Sequence, residues 1–404
     1  MAMKEKIFSM IKSFCLVIGY YTSKLWPREK RLWCFTEGEN SFYLFLELSK
    51  RRNNLDCHLL VNNKEKAKLL SIDYDNVHYI YSWKGILCQI KASVIFLTHT
   101  MPSKISLCIM GGAAKFNLWH GIGIKNMGAL NRIPSEDVWF KINSWHKYID
   151  WRYLSASPDI LLATSIETRK WLSLCFNISE NKVIMASYPR VDYIKSTKLA
   201  CFLQSAYAHQ VRKIIDNIHK YKKRFMYMPT WRESNPNYFD NLNFDLSLLN
   251  DKMKSIDSIF IFKFHPYTKM KIEGEYENIM VIDSSVDVYP FLDKIDLLIT
   301  DYSSIYYEYI LLGDKEIILF PFDEIEYKNN QRGLYFDYDS DMSGKRVYSF
   351  NELYDSIKLE SMYKVPNRER LILKFWGNQE KLTNILEKSA YDLNIIKRNL
   401  LTNV

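Results

Sequence analysis

Two histidines stand where an imidazole could be put to use. His120 sits in the run LWHGIGIKNMG (Leu118–Gly128), which places three of the chain's 13 glycines within eight residues, and His265 ends the run KFH before Pro266. An imidazole titrates near neutral pH, so it can accept or donate a proton under cellular conditions. Gly121 and Gly123 allow backbone to approach a ligand closely, and N–H groups exposed beside Lys125 suit an anion. The spacing is not a dinucleotide fingerprint, because Gly128 arrives two positions late for G-x-G-x-x-G, and the chain has no Gly-Lys-Ser/Thr of a Walker loop.

Three further runs carry polar groups of the same chemical kind. In TDYSSIYYEYILLG (Thr300–Gly313), Asp301 and the serines close an apolar run and open a helical one. Ser303 and Ser304 therefore occupy a first turn, whose unpaired N–H groups favour phosphate. Glu308, one turn later, is placed to accept from ribose hydroxyls. MPTWRE (Met228–Glu233) brings Thr230 and Arg232 to a strand exit, and a guanidinium makes bidentate contacts with phosphate. Lys263 adds a cation two residues before His265. NNQRGLYFDYDS (Asn329–Ser340) is a polar, aromatic loop carrying Arg332, of the kind that closes over a ligand.

These runs need a scaffold that brings them together. From Arg31 onward, short β-branched or aromatic runs alternate with helix-length amphipathic ones, which predicts parallel sheets covered by helices. Strands are expected at 32–35, 57–61, 77–81, 94–98, 116–119, 160–163 and 183–186, and in a second series at 225–228, 259–264, 279–282, 297–300 and 317–320. The pattern divides the chain into a basic amphipathic segment at 1–30, a first Rossmann-like half at 31–195 and a second at 196–404 that includes terminal helices. Open parallel sheets bind ligands beyond the carboxyl ends of their strands. His120, Thr230, His265 and Asp301 all follow predicted strands there, which implies two facing halves with a shared cleft.

Composition narrows the partner. The 404 residues are 48% hydrophobic and 25% charged, as in a globular protein. Lys and Arg number 55 against 46 Asp and Glu, a net charge of +9 that favours anionic partners. Residues 1–31 hold seven of those cations against two glutamates, with Phe8, Phe14, Tyr20, Tyr21 and Trp26 interleaved. That mixture suits a helix lying in an anionic headgroup layer. Nucleic acid is not the expected partner, since the excess is concentrated at this end and no reader motif accompanies it. Seven cysteines without a C-x-x-C argue against a disulfide framework or zinc knuckle and for a reducing compartment. No metal-ligand cluster of tight spacing is visible, so neither a metal site nor a cofactor is expected.

Taken in order, NLWHGIGIKNMG, ASYPRVD, MPTWRE, KFHP, DLLITDYSSIYYEY and QRGLYFDYD resemble the CDP-glycerol glycerophosphotransferase family, which builds wall teichoic acid and related capsule polymers. The resemblance runs from about Leu32 to Ser340. It implies a GT-B-like α/β fold of two facing Rossmann-like domains. It also implies transfer of glycerol phosphate or ribitol phosphate from a CDP-polyol to a hydroxyl of a lipid-linked polymer, with release of CMP, at the cytoplasmic face of the bacterial membrane. On this resemblance His120 and His265 are the essential histidines, Ser303 and Ser304 hold donor phosphate, and Pro189, Arg190 and Asp192 form the Pro-Arg-x-Asp element. His120 is expected as base and His265 and Arg232 as phosphate ligands. Any divalent ion would be held by the donor's pyrophosphate. A GT-B glycosyltransferase using a nucleotide sugar and a non-catalytic membrane-surface module are the competing readings.

Overall fold

The computed structural model describes residues 2–51, 54–131, 145–232, 237–268, 272, 274–330, 333–360, 363–377 and 380–402. Seven strands, β1 (Glu29–Thr36), β2 (Asp56–Val61), β3 (Val77–Tyr79), β4 (Ala92–Leu97), β5 (Ala114–Asn117), β6 (Ile160–Ala163) and β7 (Val183–Met185), form a sheet in the order β3-β2-β1-β4-β5-β6-β7. Six more, β8 (Lys223–Tyr227), β9 (Ser258–Phe262), β10 (Ile279–Val281), β11 (Leu297–Thr300), β12 (Glu316–Leu319) and β13 (Lys345–Arg346), form a second in the order β10-β9-β8-β11-β12-β13. Every pairing between named strands is parallel. The apolar runs Ile160–Ala163, Ser258–Phe262 and Leu297–Thr300 are buried along their whole length, as expected of parallel strands covered on both faces.

The twelve expected strands are present, with ends shifted by up to three residues. β13 was not foreseen, because Lys345–Arg346 has no apolar signature. One shift concerns the site: β5 stops at Asn117 rather than Trp119. The Asn117 side-chain oxygen accepts from the Trp119 N–H at 2.8 Å, and Trp119 turns to φ +55°. A non-glycine residue held in this region marks an over-determined bend of the kind found at functional sites.

Residues Ala2–Ser23 form one helix. Its second half docks on the first sheet's layer through buried Leu16, Tyr20 and Ser23. A β-carbon on Gly19 would stand only 2.9 Å from that of Cys108, so glycine permits this approach. Arg28 donates to the carbonyls of Ser23, Gln89 and Ile109 at 2.8–3.0 Å, so this member of the basic set ties the helix to the fold. Among the described residues no helix is long and apolar enough to cross a membrane.

The chain crosses between the sheets twice. Helices Pro189–Ile194 and Lys198–Leu203 make the first crossing. The helix Arg368–Trp376 touches both halves: Arg368 donates to the Ile310 carbonyl and Trp376 to that of Tyr307, while Thr164 of the first half donates to the Phe375 carbonyl at 2.6 Å. Beyond it, Lys381 pairs with Ser187. The terminal helices, counted with the second half in sequence, thus also contact the first.

Candidate active site

Both sheets present polar residues from their strand carboxyl ends to one cavity of about 430 Å³. The first half lines it with Trp119, His120, Gly121 and Lys125, the second with Thr230, His265, Ser303 and Ser304. The halves nearly touch where Gly121 meets Ser304. A β-carbon on Gly121 would lie 3.1 Å from the Ser304 hydroxyl oxygen and 3.4 Å from a guanidinium nitrogen of Arg190. Gly123 is needed for another reason: its β-carbon would crowd the Trp171 ring at 3.3 Å.

The two imidazoles are set in opposite tautomers. His120 Nδ1 faces the Thr98 carbonyl at 3.4 Å, and a carbonyl only accepts, so Nδ1 carries the proton and Nε2 is left basic. The His265 Nδ1 instead accepts from the Tyr267 N–H at 3.3 Å, which leaves Nε2–H as a donor. Burial, followed by the neighbouring His99, holds His120 well below the ordinary histidine range. His265 is also lowered, by burial and then by the Lys125 and Lys263 cations. Both rings are therefore neutral at pH 7.

Aromatic rings keep the imidazoles in place. His99 stacks on His120 with centroids 4.4 Å apart and planes within 3°, and Trp231 stacks on His265 at 5.9 Å with the planes 21° apart. His99 was not singled out in the sequence, although Thr98-His99 follows β4 and obeys the same strand-end rule as the residues that were.

Ser303 and Ser304 precede the short helix Ile305–Tyr309, and Ser304 makes no side-chain cap bond. Both line the cavity instead. Lys125 also lines it, with its ammonium 5.4 Å from the centre of the Tyr327 ring. Lys263 is buried, donates to the Ser284 carbonyl at 2.8 Å, and lines an adjoining chamber of about 440 Å³. The two chambers share His265, Ser303 and Ser304.

Four sequence-predicted ligands lie off the wall. Arg190 is fully buried and paired with Glu308 and, at 2.9 Å, with Glu39. Its guanidinium also stacks on Tyr289. Glu308 thus faces an arginine rather than a ribose, and burial raises its carboxyl above the usual range. Arg232 is clamped by both oxygens of Asp323 at 2.7 and 2.8 Å and by Asp301 at 2.8 Å. Asp301 also accepts from the N–H groups of Thr230 and Tyr302, bracing the exits of β8 and β11. Elementary energetics explains the outcome: a buried charge must be paired, and the four form two opposite-charge pairs, Arg190 with Glu308 and Arg232 with Asp301, reinforced by Glu39 and Asp323. Arg332 lies outside the described residues.

The family model for CDP-glycerol:poly(glycerophosphate) glycerophosphotransferases matches residues 33–378. The chain belongs to this family. It is 26% identical over 368 residues to the teichoic acid ribitol-phosphate polymerase TarL of Staphylococcus aureus, covering 88% of this chain and 59% of that protein. It is 24% identical over 393 residues to a teichoic acid poly(glycerol phosphate) polymerase of Bacillus spizizenii, covering 90% and 92%. Against the ribitol-phosphate polymerase TarK of S. aureus it spans half of the relative's length. The structure of the wall teichoic acid polymerase TagF superposes with a TM-score of 0.69 at 19% identity, covering 92% of this chain and 90% of that one. The fold is therefore the GT-B-like α/β arrangement.

Proposed function

We propose that the protein moves glycerol phosphate or ribitol phosphate from a CDP-polyol onto a hydroxyl of a membrane-held teichoic-acid-like or capsular polymer. The observation that carries this reading is the pair of oppositely set imidazoles, one from each half, on a single cavity. An acceptor hydroxyl gives its proton to His120 Nε2 as its oxygen attacks the polyol-bearing phosphorus. The new O–P bond replaces the P–O bond to the cytidylate, which leaves as CMP. His265 Nε2–H, Lys125 and the Ser303 and Ser304 hydroxyls face the phosphoryl oxygens, where charge builds up. Two adjoining chambers that meet at His265 suit a reaction with two substrates. Relatives named as ribitol-phosphate and glycerol-phosphate polymerases, and the TagF structure soaked with CDPG, support this donor class. In this reading the first half serves the acceptor and the second the CDP donor. Arg190, Arg232, Asp301 and Glu308 hold the walls, and Arg332 remains assigned to the substrate.

The reading places the enzyme on the cytoplasmic membrane surface as a peripheral protein. Phe8, Ile11, Phe14 and Ile18 recur at helical spacing and are 70, 57, 65 and 45% exposed. Exposed Trp145, Tyr148 and Ile149 extend this apolar face, since Tyr21 donates to the Tyr148 carbonyl at 2.7 Å. Incubation with CDP-glycerol, CDP-ribitol and UDP- or CMP-sugars, alongside a lipid-linked acceptor, tests the proposal. CMP release from a CDP-polyol with phosphate incorporated into acceptor is expected. Turnover of nucleotide sugars alone would replace it with a glycosyltransferase.

A further inference from the structure

At the outer edge of the first sheet, far along the strand order from β5 and the cavity, three metal-ligating side chains meet. His58 lies on β2 and His78 on β3. His78 is in register with Leu60, two residues beyond His58. Residues two apart on a strand share a face, so both imidazoles stand on the same side of the sheet. The helix Trp83–Lys91 covers that side and turns Cys88 toward it. The ligand atoms of His58, His78 and Cys88 all lie within 4.8 Å of one another. His58 Nδ1 is 3.0 Å from His78 Nε2 and 3.2 Å from Cys88 Sγ.

These separations approach those around a tetrahedral ion. With Zn–N of about 2.0–2.1 Å and Zn–S of about 2.3 Å, two nitrogens stand about 3.3 Å apart, and nitrogen and sulfur about 3.6 Å. The two sides that meet at His58 Nδ1 need to open by only a few tenths of an ångström, and the third side, within 4.8 Å, is brought to size by rotation of the His78 or Cys88 side chain. An outer partner is also in place: Asp56 Oδ2 lies 2.9 Å from His58 Nε2, on the far side of the ring from the proposed ion. A carboxylate behind a ligating histidine orients the ring and raises its basicity. One thiolate and two imidazoles are a donor set for borderline-soft divalent ions rather than for magnesium or calcium. None of the three residues lines either chamber of the candidate active site.

We propose that His58, His78 and Cys88 bind one zinc-class divalent cation, with Asp56 as outer partner, and that the ion pins the helix Trp83–Lys91 to the edge of the first sheet. Binding replaces the thiol proton, which passes to solvent. Positions 58, 78 and 88 have none of the tight spacing by which such sites are read from a sequence. The fold alone assembles them.

The test is titration of the full-length, chelator-stripped protein with Co²⁺ under reducing conditions. One equivalent is expected to bind, giving a thiolate-to-cobalt charge-transfer band and tetrahedral d–d bands that Zn²⁺ abolishes by displacement. Cys88→Ser is expected to lose the charge-transfer band, whereas Cys175→Ser and Cys201→Ser keep it. Asp56→Asn weakens binding by about 10- to 100-fold, and His78→Gln by at least as much. Zn²⁺ raises the melting temperature of the wild type but not of His78→Gln, by mass action on the folded state. Should Cys88→Ser fail to fold, His78→Gln and Asp56→Asn read the same site independently. Absence of a saturable single equivalent, or a charge-transfer band that survives Cys88→Ser in folded protein, overturns the proposal.

Discussion

Arg190 and Glu308 close on each other across the two halves with side chains 0% and 1% exposed. Arg190 sits on the helix Pro189–Ile194, and Glu308 on the helix that begins after Ser304. The arginine also holds Glu39 at the head of the helix Glu39–Leu48 and lies over Tyr289 at 4.1 Å. One guanidinium therefore joins elements of both halves directly behind the Gly121–Ser304 contact. Removing one member of a buried pair strands the other without compensation.

Arg190→Ala is expected to lower unfolding stability by about 3–5 kcal/mol, measured by urea denaturation. Glu65→Ala, in the exposed pair with Lys68, is expected to cost less than about 1 kcal/mol. The double change Arg190→Met with Glu308→Leu recovers part of the loss, because it removes both members of the fully buried pair and leaves only the partly exposed Glu39 without its counter-charge. Equal midpoints for Arg190→Ala and wild type would show that this pair does not hold the halves together.

His120→Ala is expected to reduce kcat by about 10²–10⁴-fold while binding of the CDP-polyol, read by calorimetry, persists. The pH profile supplies an independent check. In the proposed role His120 acts as the neutral base, and burial with His99 depresses its folded value, so the acid limb of kcat/KM is expected to fall below pH 6.5. A limb centred at or above 6.5 assigns the base elsewhere. Stability follows the same sign. An unfolded histidine protonates first as pH drops, so the contribution of neutral His120 is present at pH 7 and is lost on acidification below about 6.5. His120→Gln should flatten that part of the stability curve.

Ser303→Ala and Ser304→Ala test whether the hydroxyls serve the ligand. Ser304 makes no cap bond, so its loss should leave the melting temperature nearly unchanged. A hydrogen bond to a charged group is worth about 1.5–3 kcal/mol, and KM for the CDP-polyol is expected to rise about tenfold or more. A drop in stability with unchanged KM would return the serines to a structural role.

The fold was largely legible, and the site only in part, for one physical reason. Parallel strands buried on both faces must be apolar, so Ile160–Ala163 and Leu297–Thr300 declared themselves to the residue. The strand-end rule then located His120, His265 and the serines without any knowledge of depth. Depth decided the others. Arg190, Arg232, Asp301 and Glu308 have side chains suited to phosphate or ribose, but a sequence does not record which charges are sealed against each other. His99 could have been found by applying the strand-end rule to β4. His58, His78 and Cys88 could not, since only the register of β2 with β3 and the covering helix bring them together.

Phe14→Ser and Ile11→Ser probe the N-terminal helix. Full burial of such a side chain is worth about 1.5–3 kcal/mol, so each is expected to weaken co-sedimentation with anionic vesicles by about tenfold. Both side chains are exposed, and folding stability is expected to move by no more than about 0.5 kcal/mol. Unchanged vesicle binding by the double variant would remove this helix as the anchor.

The two crossings of the chain, at Pro189–Leu203 and at Arg368–Trp376, set how the halves can move. A body fastened to another at a single point swivels freely, whereas this one is fastened at two points and tied again where Lys125 pairs with Leu334, where the Tyr335 N–H donates to the Ile124 carbonyl and where Tyr43 donates to Asp287. The imidazoles hang on opposite sides of that joint. Arg190 lies on the first of these crossings and grips Glu308 beyond it, so the spacing of His120 from His265 is set by covalent and ionic ties at the same seam.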